Sequence, residues 1–162
     1  MVIIRDKSEF VGKYWGKRWE LYLKCVADYV KGLNPERVLE IGTNGMSLCL
    51  EADTMDITGN PTFLHDATKP FPVDNKQYDL VIATQVWEHL GTGQREAFKE
   101  VMRVSGAAIL SFPYLWRNKK NKVHYGIDKN KIDEWTCNMP YEIERITNIP
   151  KTHKRVIRVF KF

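Results

Sequence analysis

Long apolar runs are missing from this chain. No stretch approaches the roughly 20 residues that a bilayer-spanning helix needs, so a membrane-embedded helix is excluded and no membrane partner is expected. Cysteine is scarce. Cys25, Cys49 and Cys137 are odd in number and widely spaced, and they make neither a disulfide framework nor a C-x-x-C pair. The first ten residues carry acids and no long apolar stretch, and read as no signal peptide. These absences point to a reducing, cytoplasmic setting. Internal repeats, low-complexity tracts and linkers are lacking too. So is a G-x-G-x-x-G opening a full-length helix, the pattern a nicotinamide enzyme would carry.

What is present suits one domain spanning residues 1–162, since 43% hydrophobic content over that length supplies a substantial core. The net charge of +5 and the pI near 9.1 are compatible with an anionic substrate or a nucleic acid. A charge of this size bears on association rather than on fold.

The chain is organised around Val38-Leu39-Glu40-Ile41-Gly42-Thr43-Asn44-Gly45. A short apolar run broken by glycine reads as a buried parallel strand ending in a sharp turn, with Gly42 free of a Cβ and Asn44 tolerant of positive φ. Ligands of open α/β sheets bind in the crevice beyond such strand ends. Glu40, at that lip, can face a cationic or hydroxyl-bearing ligand.

Around this strand the pattern alternates. Trp19, Tyr22, Val26, Tyr29, Val30 and Leu33 recur at three- and four-residue steps, which predicts an amphipathic helix over 17–33, closed by Asn34 and Pro35. Strands are predicted at 37–41, 52–57, 62–65, 78–83, 106–112, 141–149 and 155–162. A short helix is expected at 46–51, a longer one at 93–105, and one from the N-cap Asp128 to about Cys137. The break at 150–153 is short enough for a hairpin, so the last two strands should pair antiparallel. This describes an α/β fold with a doubly wound, mostly parallel seven-stranded sheet, helices on both faces and a C-terminal antiparallel hairpin.

Three acids, Glu40, Asp56 and Asp66, fall at or just past the ends of successive strands. In a parallel sheet those ends share one rim. A carboxylate there suits a ribose diol, and Asp66 can accept from an adenine amine.

With these pieces in place the sequence resembles the class I S-adenosylmethionine-dependent methyltransferases, well over 37–113 and by element order elsewhere. The resemblance rests on the strand-one motif, Asp56, His65-Asp66-Ala67 and above all Tyr78-Asp79-Leu80-Val81-Ile82 followed by Glu88-His89-Leu90. It implies S-adenosyl-L-methionine as cofactor. Glu40, Gly42, Thr43, Asn44 and Gly45 would cradle the methionine half, and Asp56 with Ile57 the ribose. Asp66 and the Ala67 amide would read adenine, with Gln85 beside the methyl group. Two features depart from the family pattern. Asn44 and Met46 stand where it has further glycines, and the short interval from Glu40 to Asp56 leaves room for about one helical turn.

Methyl transfer from a sulfonium needs alignment and a place for a proton. Glu88, His89 and His124 are the candidate catalytic residues; Glu88 and His89 equally suit capping. Some relatives of this class bind a divalent ion through E-x-x-E-H and a later histidine. Here the pattern reads Gln85-Val86-Trp87-Glu88-His89, and Gln85 in place of an acid weakens a hard-cation site. No metal is assigned, although Glu88, His89 and His124 are the residues that would ligate one. The basic loop 114–122, with Trp116, suits phosphate or a sugar face. The sequence thus reads as a methyltransferase for a small-molecule or saccharide acceptor, by O- or N-methylation. RNA methylation, or S-adenosylmethionine or nucleotide binding without catalysis, are the alternatives.

Overall fold

The computed structural model describes residues 2–147 and 153–162. A seven-stranded sheet runs through it in the order β3-β2-β1-β4-β5-β7-β6. The strands are β1 (Val38–Ile41), β2 (Asp53–Asp56), β3 (Phe63–Leu64), β4 (Tyr78–Thr84), β5 (Ser105–Pro113), β6 (Ile143–Thr147) and β7 (Arg155–Lys161). Strands β1 to β5 pair parallel, while β7 is antiparallel to both β5 and β6. All seven expected strands and the antiparallel closing pair are therefore present. The predicted strand at 141–149 starts at Ile143, and its residues 148–149, with 150–152 of the expected turn, lie outside the described residues.

Strand order reverses between β1 and β4, and that reversal opens the crevice at their carboxyl ends. The central strands are apolar on both faces because helices cover both. On one face Tyr22, Leu23, Val26 and Val30 pack with Val38, Leu80, Ile82 and Ile109. On the other, Ala97, Phe98 and Val101 of α3 (Gln94–Val104) and Ile132 and Trp135 of α4 (Lys129–Trp135) pack with Leu39, Val81, Leu110 and Phe112. Asp128 caps α4 by accepting from the Lys131 amide at 2.9 Å.

The N-terminal helix is longer than its periodicity predicts. It starts at Gly12, as α1 (Gly12–Arg18), and passes through a π-helical turn (Trp19–Leu23) into α2 (Lys24–Leu33), where Asn34 ends it at φ 49°. The widened turn disrupts the 3.6-residue stripe, so the apolar pattern of 17–33 does not extend cleanly to residue 12.

Segment 46–51 forms no helix. Cys49 makes a β-bridge to Ile4, and the backbone amides of Leu48 and Cys49 donate to the Glu40 carboxylate at 2.8 and 2.6 Å. Donors that a helical turn would engage later in its length are satisfied by one side chain, and the first crossover is a folded loop. Among the described residues no helix is long and apolar enough to cross a membrane.

Candidate cofactor cleft and acceptor site

The turn after β1 has the conformation its residues allow. Gly42, Asn44 and Gly45 lie at φ 69°, 49° and 82°. A Cβ on Gly42 would come within 2.4 Å of Val86 Cγ2, so close approach of this turn to the β4 end requires glycine. Asp56, at the end of β2, accepts from the Asn44 amide at 3.0 Å and from the Ile57 amide at 2.8 Å. Each oxygen keeps a lone pair for a further donor.

A cleft of about 630 Å³ opens here, bounded by Asp56, Ile57, Asp66, Ala67, Gln85 and Leu90. Its size suits a nucleoside-sized ligand. Asp66 is fixed by the amide and hydroxyl of Thr68, at 2.9 and 2.8 Å, and these bonds hold its carboxyl below the usual carboxylate range. Ala67 is buried beside it. The structure thus brings Asp56, Ile57, Asp66, Ala67, Gly42, Asn44 and Gln85 to one cavity.

A smaller recess of about 200 Å³ adjoins it through Gly42, Asn44, Gln85 and His89. Thr43 and Glu40 border this recess, as do Tyr14, Arg18 and Tyr22 of the N-terminal helix. Gly45 borders neither cavity. Glu40 is 5% exposed, and its carboxylate faces the amides of the loop that follows; burial pushes its pKa up. The helix residues were not legible as site residues, because an aromatic stripe at helical spacing reads as core.

Gln85 stands at φ 58° with its amide nitrogen donating to Ser111 Oγ at 3.1 Å. Beyond it, Trp87 to His89 form a 3₁₀ turn. Glu88 is buried, and neither carboxylate oxygen has a hydrogen-bond partner among the described residues. Burial pushes its pKa up to about 8. His89 lies on the exposed side, and His124 arrives from the loop after β5. Glu88 Oε1 is 3.5 Å from His124 Nε2 and 3.9 Å from His89 Nε2. The two imidazoles meet edge-on with centroids 5.1 Å apart.

His124 is held on its other side. Its Nδ1 bonds Asn121 Oδ1 at 2.7 Å, which makes Nδ1 the protonated nitrogen and leaves Nε2 toward Glu88. Trp116 stacks on its ring at 5.0 Å. Burial lowers the pKa of both histidines. One oxygen and two ring nitrogens of Glu88, His89 and His124 lie within 4.8 Å of one another, an arrangement that fits a cation, with the unpartnered Glu88 carboxylate as the supporting observation. Trp87 is 1% exposed and belongs to the core, whereas Trp116 flanks the site.

Neither a protein-family model nor a curated protein matches the sequence. Solved structures do match. The PH0226 protein of Pyrococcus horikoshii OT3 aligns over 94% of this chain and 93% of its own, at 17% identity and a TM-score of 0.70. The methyltransferase domain of bacterial CtHen1 aligns over 90% and 99%, at 13% identity and a TM-score of 0.62. A SAM-dependent methyltransferase from Aquifex aeolicus aligns over 96% and 98%, at 14% identity and a TM-score of 0.60. The sheet order, the antiparallel closing pair and these likenesses together define the fold of the class I S-adenosylmethionine-dependent methyltransferases.

Proposed function

We propose that the chain is an S-adenosylmethionine-dependent methyltransferase acting on a hydroxyl or amine of a small-molecule or saccharide acceptor. The observation that carries this reading is the continuity of two cavities at the strand-order reversal. Asp56, Asp66 and Ala67 line the larger cavity, Gln85 and His89 border both, and Glu88 and His124 gather around His89.

The parts divide naturally. Asp56 presents free lone pairs to a ribose diol. Asp66 and the Ala67 amide face the adenine edge. The positive-φ turn at Gly42 lets backbone approach the methionine half with no Cβ in the way. When bound, the cofactor supplies the activated methyl group, and the chain's task is alignment and proton handling. His89 and His124 are neutral at pH 7 because burial disfavours their charged forms, so a ring nitrogen is available to an acceptor proton.

A second reading, a nucleic-acid acceptor, is favoured by one observation. Arg117, Lys119, Lys120 and Lys122 are exposed beside His124, and none forms an ion pair among the described residues. Calorimetric titration with S-adenosylhomocysteine and with NAD tests the cofactor. Product formation across acceptor classes, at low and high salt, then separates the acceptors. Binding of NAD without S-adenosylhomocysteine would overturn the reading.

A further inference from the structure

Two arginines at the recess have no counterion. Arg155, the first residue of β7, is 6% exposed, and its Nε has no hydrogen-bond partner among the described residues. Its Nη1 donates to the His153 carbonyl at 3.0 Å. The guanidinium lies 5.1 Å from the ring centre of Tyr22 and 5.3 Å from that of Trp116. Tyr22 borders the recess and Trp116 stacks on His124, so Arg155 links the recess wall to the Glu88 cluster. Arg18, a half-buried residue of α1 that borders the recess, rests 3.7 Å from the centre of the Tyr14 ring. The arginine ion pairs among the described residues are those of Arg5, Arg37, Arg103 and Arg158; Arg18 and Arg155 form none.

A buried guanidinium without a partner is unfavourable, and a second cation nearby makes it more so. Burial lowers the Arg155 pKa, and the field of Arg18 adds to the effect. Glu88 is the acid whose field reaches Arg155, yet it stands beyond ion-pairing distance. The Glu40 carboxylate is engaged by the Leu48 and Cys49 amides. The methionine half of S-adenosylmethionine does not meet the need either. It sets one carboxylate against an ammonium and a sulfonium, so cofactor binding adds net positive charge. What the site lacks is an anion from another source. A planar guanidinium held against aromatic rings presents paired donors that match a carboxylate or a phosphate.

We propose that Arg155, together with Arg18, binds an anionic group of the acceptor, a carboxylate or a phosphate, and so selects small acidic substrates over neutral ones. That the anion belongs to a methyl acceptor rests on the methyltransferase reading; that an anion binds does not.

The probes are inorganic phosphate and acetate, added to full-length protein at constant ionic strength, with and without saturating S-adenosylhomocysteine. Binding is read from the rise in Tm. Both states should respond, and the more effective anion identifies the acceptor as a phosphate ester or a carboxylic acid. Arg155→Gln and Arg18→Ala should each weaken the anion about tenfold, and Arg155→Lys, which keeps the charge without the planar fork, should retain part of the affinity. Arg18→Ala alters a half-buried side chain and provides a variant that folds. Calorimetry with S-adenosylhomocysteine and with 5′-methylthioadenosine, which lacks the methionine carboxylate, separates the two sources of anion. Arg155→Gln should leave both affinities unchanged. If it weakens S-adenosylhomocysteine alone, and S-adenosylhomocysteine displaces phosphate, the arginines hold the cofactor and the proposal is overturned. No response to either anion, or one unmoved by Arg18→Ala and Arg155→Gln, also overturns it. Phosphate binding without S-adenosylhomocysteine binding counts against the methyltransferase reading alone.

Discussion

The Glu40 carboxylate accepts the Cys49 backbone amide at 2.6 Å, across nine residues of chain. A second bond, from the Leu48 amide to the other oxygen, completes a clasp around the first crossover. This acid at the end of β1 thereby replaces part of a helix. Burial alone would favour its neutral form, and the two amides favour the anion. Glu40→Ala would leave two buried donors unpaired. The expected loss of stability is about 2–4 kcal/mol, measured by urea unfolding. A loss near zero would show that the loop closes without the clasp.

Gly42→Ala should damage the same region for a different reason. The new methyl would meet Val86 Cγ2 at 2.4 Å, and an L-residue is disfavoured at φ 69°. The left-handed region costs roughly 1–2 kcal/mol for alanine, and the clash adds to it. Val86→Ala in the same chain should restore part of the stability, because it removes the clash and leaves the backbone strain. Full restoration, or none, would show that one of the two causes is absent.

How much of this was legible in the sequence varied with the range of the interaction involved. Strands β1, β4 and β5 announced themselves because burial on both faces makes an apolar run. Asp56 and Asp66 could be placed on one rim because parallel topology fixes where strand ends fall. Asn34 and Asp128 closed their helices through local backbone preferences. The loop at 46–51 was misread as a short helix, because its amides are engaged by Glu40 and by the bridge to Ile4, both distant in sequence. Residues 12–16 were not read as helix, since a π-helical turn breaks the periodicity ahead of them. Tyr14 fell outside the predicted helix, and Arg18, inside it, carried no local sign that it lines the recess. Gln85 was placed beside the methyl group by resemblance, but its bond to Ser111 depends on the β4–β5 pairing.

Asp56 offers a direct check on where the ribose sits. Asp56→Ala removes charge-assisted hydrogen bonds and should weaken S-adenosylhomocysteine by about 1–3 kcal/mol. It also frees the Asn44 amide, so part of any loss could reflect a loosened turn. A ligand lacking the ribose hydroxyls resolves the two contributions. If Asp56 binds the diol, the 2′,3′-dideoxy analogue should bind the wild type weakly and the variant no more weakly. Equal penalties for both ligands would place the ribose elsewhere.

The pH dependence of stability should show the Glu100–Arg103 pair. Arg103 donates to both Glu100 oxygens, at 2.9 and 2.7 Å, and the Phe71 amide donates to one of them. The Arg103 bonds lead in holding the Glu100 carboxyl below the usual glutamate range. A carboxyl whose pKa is depressed by folding contributes stability that is fully present above its unfolded value. That contribution is lost as pH falls through the folded value. Wild-type protein should therefore lose stability across the acid range below the ordinary glutamate pKa. Glu100→Gln should be less stable near pH 7 by about 1–2 kcal/mol, and should lose less on acidification. Urea unfolding of both proteins from pH 7 down to pH 3 measures this directly. Parallel stability curves would mean that Arg103 holds the Phe71–Val73 segment through its backbone contacts alone.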